Sequence, residues 1–223
     1  MVKRTINLLI IFALLAKSLS SANFSISLNP GGIWALNGYY NETEKLKDRV
    51  IPGAGLGLGL RYEITENFTV EACYSYNWMF IKKTKRPDAY KDDKPAFVIP
   101  MYTLNGTVFL STSKTMDPFL TAGVGIFPWS FSSQARGGEL WSAPENPDED
   151  FSKSSLGLNI GVGVEVYLWS KISLLIESKY YYIFAKDEEK FGTDTFTRQG
   201  LLGVRLGIAY HFGKRQSLEN EGP

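Results

Sequence analysis

Residues 52–78 read PGAGLGLGLRYEITENFTVEACYSYNW, two arms of alternating residues on either side of a polar turn at Thr65-Glu66-Asn67. In the first arm Leu56, Leu58, Leu60 and Tyr62 share one face, and Gly55, Gly57, Gly59, Arg61 and Glu63 share the other. In the second, Phe68, Val70, Ala72, Tyr74, Tyr76 and Trp78 oppose Thr69, Glu71, Cys73, Ser75 and Asn77. Period-two patterning around a tight turn predicts a β-hairpin. Both arms outrun the roughly five or six residues usual for strands of soluble proteins. One face of each is apolar and ends in aromatics; the other carries glycine, hydroxyls and charge. A strand that crosses a membrane needs this division, with about ten tilted residues, hydrocarbon outside and a polar interior. Reflection about Glu66 sets Arg61 opposite Glu71 on the inner face, a favourable cross-strand pair.

The start of the chain agrees on location. Lys3 and Arg4 precede the apolar run Ile6 to Ala16, and Ser20-Ser21-Ala22 supplies small residues for cleavage. Residues 1–22 therefore read as a secretory signal peptide, too short to anchor. No later run approaches the roughly 18 apolar residues of a spanning helix. The full chain has a formal net charge of +1. Losing Lys3, Arg4 and Lys17 with the signal leaves a weakly acidic protein with no nucleic-acid signature. Cys73 is the single cysteine, so there is no disulfide framework and no cysteine metal cluster. It reads as a small lumen-packing residue.

Strands are expected at Phe24–Trp34, broken by Pro30-Gly31-Gly32, then along the two arms above, and at Val98–Leu110, Phe119–Trp129, Leu156–Leu168, Ile172–Phe184 and Gly200–Phe212. Leu156, Leu158, Ile160, Val162, Val164, Val166 and Leu168 give the cleanest apolar row, against Gly157, Asn159, Gly161, Gly163 and Glu165. The connections alternate long and short, with solvated loops near residues 35–51, 81–96, 132–154 and 185–198. An even strand count with both termini at the tight-turn end predicts an all-β fold. It is an eight-stranded antiparallel up-and-down transmembrane β-barrel over residues 23–213, with a short periplasmic tail at 214–223. Aromatic girdles are expected from Trp34, Trp78, Trp129 and Tyr182 at the loop ends and from Tyr62, Phe68, Trp169 and Tyr210 at the turn ends. The alternative, a soluble lipocalin-type barrel, would turn the Leu/Val rows inward and leave glycine and charge in water.

Several segments resemble the OmpA-type family of small outer-membrane β-barrel proteins over nearly all of the mature length. They are Gly57-Leu58-Gly59-Leu60-Arg61-Tyr62, Pro118-Phe119-Leu120-Thr121-Ala122-Gly123-Val124-Gly125, Leu174-Leu175-Ile176-Glu177-Ser178-Lys179-Tyr180 and the ending Val204 to Phe212. The resemblance implies the bacterial outer membrane, with outer-membrane lipid and lipopolysaccharide as surroundings. It also implies that Tyr210 and Phe212 form a signal read by the barrel-assembly machinery, although residues 213–223 follow where the family pattern ends. It specifies architecture and hardly constrains activity.

Arg61, Glu63, Glu71, Glu165, Glu177, Lys179 and Arg205 point inward by alternation. They read as an ion-paired core in which Arg61 meets Glu71, and Lys179 and Arg205 share Glu177; a narrow gated ion path is the competing reading. Glycine at every second position fits neither a dinucleotide nor a phosphate loop. His211, the only histidine, is assigned to the lumen at the periplasmic end, away from the outer rim where a lipid-editing enzyme would need its base. No catalytic, cofactor or metal residues are assigned. Loop two is basic and loop three acidic, which suggests mutual docking or contact with anionic headgroups or a host surface. The reading is a monomeric structural or surface-interaction protein, adhesion-like, with an unknown extracellular partner. A narrow pore or transport of small apolar molecules is the alternative, and a lipid-modifying enzyme the third. Mass spectrometry of the membrane-fraction protein is expected to find Asn23 as the first residue; an intact Met1 would contradict the signal.

Overall fold

A computed structural model describes residues 23–212 except 42, 87–93, 112–114, 134–136, 144–145, 147 and 192–195. The signal at 1–22 and the tail at 214–223 lie outside the described residues. Eight long strands form the wall: β1 (Phe24–Asn37), β2 (Gly53–Thr65), β3 (Phe68–Phe80), β4 (Pro95–Phe109), β5 (Met116–Ser133), β7 (Ser152–Trp169), β8 (Ile172–Phe184) and β9 (Arg198–His211). A two-residue strand, β6 (Glu139–Leu140), belongs to the loop between β5 and β7. Each wall strand pairs antiparallel with its neighbours in sequence, and β1 pairs with β9, so the sheet closes. Closure removes the sheet edges whose amides would find no partner in hydrocarbon.

The register is that expected from the turn, with Arg61 opposite Glu71 and Leu60 opposite Ala72. The outward rows are exposed and apolar: Leu58 is 51% and Ile160 64% exposed, while Arg61 and Lys179 are 5% and 3%. Apolar residues outside and charge inside invert a soluble fold, which excludes the lipocalin arrangement. Glycine lets large lumen groups sit against the wall. A Cβ on Gly59 would come within 2.6 Å of Glu71 Oε1, and one on Gly163 would meet the Phe119 ring.

Three expectations change. Pro30 does not break β1, which runs on to Asn37, because the Pro30-Gly31-Gly32 segment keeps its register on β2 and joins β9 again at Gly31. The cost is confined to ladder bonds beside the proline. Several strands, β5 and β7 above all, continue beyond the membrane-spanning pattern at the loop end. The first loop is not simply solvated, since Tyr40, Leu46 and Val50 are buried.

In refolding titrations into lipid vesicles, Val162→Arg at mid-strand should cost about 2–4 kcal/mol and Leu168→Arg near the interface about 0–1 kcal/mol. Equal penalties at the two depths would contradict the membrane placement of β7.

Candidate functional site

Among the described residues the wall strands bring their polar side chains together in the barrel interior, which has two storeys. In the half nearer the tight turns the seven charges expected to face inward do so. Arg61 Nη1 lies 2.7 Å from Glu165 Oε2, joining β2 to β7 through the lumen. Its cross-strand neighbour Glu71 is farther, with Oε1 4.0 Å from Nη2. Lys179 Nζ lies 2.8 Å from Glu177 Oε1 and 3.7 Å from Glu71 Oε2. Glu177, Lys179, Glu71, Arg61 and Glu165 thus form one continuous chain of alternating charge, and every link reduces the cost of burying the next.

Arg205 departs from the expected sharing of Glu177. The ladder does put it opposite Glu177. Its guanidinium instead donates to Ser75 Oγ at 2.8 Å, with Nη1 3.8 Å from Cys73 Sγ. Cross-strand register fixes Cα positions, whereas long side chains reach across a narrow lumen to other strands. The same reason moves the main partner of Arg61 from Glu71 to Glu165. Between these groups the lumen leaves a cavity of about 10 Å³ lined by Asn29, Arg61, Glu71, Phe119, Leu175, Glu177 and Arg205. That is room for at most one water.

At the turn end the network takes in the expected His211 and Glu63 and gains Ser173, which pattern reading did not assign. Ser173 Oγ donates to Glu165 Oε1 at 2.5 Å, and His211 Nε2 lies 3.0 Å from Ser173 Oγ and 3.2 Å from Glu165 Oε1. Glu63 Oε1 is 3.7 Å from His211 Nδ1. Asp117, opposite Glu165 in the ladder, is fully buried as well. A serine, a histidine and carboxylates in contact invite a catalytic reading, but the hydrogens run the wrong way. A hydroxyl has one proton, and here Glu165 receives it, so His211 Nε2 is a donor to this pair and not a base for Ser173. Ser173 is also fully buried. The parity of Asp117 and Ser173 on their strands was the signal that could have placed them.

The outer storey is aromatic, which the sequence reading missed. Phe97, Phe127, Trp129 and Phe131 from β4 and β5 are buried with Phe151, Phe191 and Phe196 from the loops. Phe131 stacks on Phe151 at 4.7 Å, and the Trp129 and Phe196 rings lie 4.1 Å apart. Tyr40 packs edge-on to Phe131 and Phe151. Phe196 takes a positive φ of 49°, a strain of about 1–3 kcal/mol for such a residue. Its fully buried ring and the bond from its amide to Tyr40 O at 3.2 Å offset that strain. Trp129 is therefore not a girdle residue: it faces inward, 2% exposed, and donates Nε1–H to Ser155 Oγ. Trp34, Trp78 and Tyr182 do lie on the outer surface, partly covered, and Tyr62, Phe68, Trp169 and Tyr210 are exposed at the turn end. The Tyr210 ring lies 5.1 Å from that of Phe212.

The loops pair differently from expectation. Among the described residues, loop two binds loop one, through Lys85–Glu44 at 2.9 Å and Lys82 Nζ donating to the Lys47 and Asp48 carbonyls. Loop three binds loop four, through Lys153–Asp187 and Lys190–Glu149, each at 3.2 Å. No ion pair links loop two to loop three among these residues, although β4 and β5, which lead out of one and into the other, are paired as far as Pro95 and Ser133. Burial opposes the charge on Glu44, but hydrogen bonds from Lys85 and Arg49, with their positive charge, hold its pKa below the ordinary value. Burial pushes the Tyr40 phenol up, although Arg49 pulls the other way.

A family model described as the outer membrane protein beta-barrel domain matches residues 7–212. The chain belongs to this family. As a member it is a β-barrel of the bacterial outer membrane, in contact with membrane lipid. Among solved structures it is similar to Neisserial surface protein A, at 15% identity and a TM-score of 0.57, covering 84% of this chain and 96% of that one. It is also similar to the outer membrane protein OprG from Pseudomonas aeruginosa, at 14% identity and a TM-score of 0.50, covering 86% and 97%. At such identities the likeness shows the fold alone. No curated protein matches the chain.

Glu165→Gln leaves Arg61 buried without its short partner, which typically costs about 3–5 kcal/mol. It should destabilise the refolded barrel more than Glu71→Gln, and Arg61→Met with Glu165→Gln should cost less than the sum of the two single changes. Strict additivity in urea titrations would mean that the bridge carries no coupling.

Proposed function

We propose that this outer-membrane barrel is a sealed structural element of the envelope that presents its loops as an interaction surface, adhesion-like in character. The observation that carries the reading is the doubly filled lumen. Charges neutralise one another in the periplasmic half, and rings from β4, β5 and loops one, three and four occupy the outer half. Eight strands enclose an interior just wide enough for side chains to fill. An ion crossing it must break the Glu177 to Glu165 chain and then part a stacked aromatic cluster. The loops that make this cluster are consequently held in fixed positions, which suits a surface that binds something outside the cell.

The reading includes a monomer surrounded by lipid and lipopolysaccharide, with Tyr210 and Phe212 offered to the assembly machinery during insertion. It assigns no catalysis, since Ser173 is buried and its proton is held by Glu165. The purified barrel in a planar bilayer should give negligible current, and Phe131→Ala with Trp129→Ala should remain silent while the charge network is intact. Steady single-channel current in the unmutated protein, altered in selectivity by Glu177→Gln, would replace this reading with transport.

A further inference from the structure

The positive charge of the extracellular end is concentrated where loops one and two meet. Among the described residues, 43–50 and 81–86 hold Lys45, Lys47, Arg49, Lys82, Lys83, Lys85 and Arg86 against Glu44 and Asp48. The two segments form one folded unit. Val50 and Ile81 make an antiparallel bridge, the Ile51 amide donates to Phe80 O, and the Lys82 amide donates to Arg49 O at 2.9 Å. Glu44 ties Arg49 and Lys85 together at 2.8 and 2.9 Å. The Arg49 guanidinium lies 3.8 Å from the centre of the Tyr40 ring, which anchors the unit to the aromatic storey. Lys45, Lys47 and Lys83 remain exposed and bridge to no carboxylate among the described residues. Of the acids of loop three, Glu149 is engaged by Lys190 of loop four.

Two observations tell which anion this surface suits. The first is height. The outward row of β3 runs Tyr74, Tyr76, Trp78, Phe80, with Tyr102 of β4 beside Tyr74. Lys82 follows two residues beyond the end of β3, at most roughly 13 Å of tilted chain from Trp78 at about 3.3 Å per residue. Tyrosine and tryptophan rows settle at the membrane interface, so the bases begin at the level of the headgroups. The second is the company they keep. Tyr39 and Ile51 are 46% and 42% exposed beside them, and Lys45 Nζ lies 5.9 Å from the Tyr39 ring centre. A soluble polyanion has no use for exposed apolar side chains below its charges, whereas a lipid offers a phosphate above and an acyl chain beneath.

We infer that loops one and two form a binding site for the phosphate of a phosphorylated glycolipid in the outer leaflet, with Lys45, Lys47 and Lys83 as its contacts and Tyr39 and Ile51 against the acyl chain. This rests on the reading of the loops as an interaction surface and names their partner. The Glu44 tie holds the backbone beneath the three lysines, so they meet the phosphate without reordering loops, which would otherwise reduce affinity.

The full barrel in phosphatidylcholine nanodiscs would be given bis-phosphorylated lipid A or the same glycolipid with its phosphates removed, and the retained lipid counted by native mass spectrometry. The phosphorylated form should be retained preferentially. The variant Lys45→Gln, Lys47→Gln, Lys83→Gln should lose about tenfold or more, and the corresponding triple change to Arg should keep it. Heat-modifiability on a gel confirms that each variant is folded. Equal retention of both glycolipids, an unchanged Gln variant, or displacement by millimolar inorganic phosphate alone would overturn the site. Binding of a sulfated oligosaccharide with indifference to lipid phosphate would overturn it in favour of a soluble polyanion. A barrel that conducts yet still selects the phosphorylated lipid would refute sealing and spare the site; a silent barrel without selection would do the reverse.

Discussion

Hydrocarbon supplies no hydrogen-bond partner, and every other feature of this molecule follows from satisfying its backbone without one. A sheet can do so only by closing. Here the ladders between β4 and β5 and between β1 and β9 complete a cylinder in which each wall strand has two neighbours. Closure at eight strands fixes the bore, and the bore fixes what may stand inside it. A residue as large as Arg205 fits because Gly31 and Gly57 lie beside it.

Within that bore, polarity is graded along the axis. Near the tight turns the filling is ionic, each charge answered by another; toward the loop end it becomes a ring cluster shared by strands and loops. The two fillings resist different insults. An ionic chain depends on every member, since removing one strands its neighbour in a region of low polarity. An aromatic cluster loses only the contacts of the ring removed. The loops are recruited to the second kind, so that Tyr40, Phe151, Phe191 and Phe196 are core residues in all but chain position.

The wall was legible because its rule is local: alternation along each strand and reflection about each turn gave both the membrane face and the Arg61–Glu71 register. The lumen was only half legible. Alternation says that Arg61 and Glu165 point inward, but nothing in one sequence says that they meet through the centre of the barrel, since that contact depends on strand tilt and side-chain reach. Parity tracked to the loop end would have put Phe127, Trp129 and Phe131 inside; reading Trp129 as a girdle residue followed the habit of tryptophan at interfaces instead. The loop pairings were illegible, because net charge attracts loops two and three, and the strand order, which sets loop two beside loop three through β4 and β5 as well as beside loop one through β2 and β3, does not choose between them.

The five tryptophans of the sequence fall into two optical populations as a result. Trp34, Trp78 and Trp169 look outward toward the bilayer region, whereas Trp129 and Trp141 are enclosed with phenylalanines in the outer storey. Fluorescence from the first group responds to lipid and to quenchers dissolved in it. The second group, held in a fixed chiral cluster, governs the near-ultraviolet circular dichroism. The protein thus carries intrinsic reporters for two separate events in its own assembly, insertion of the wall and locking of its outer end, and a delay between the two signals would time one against the other.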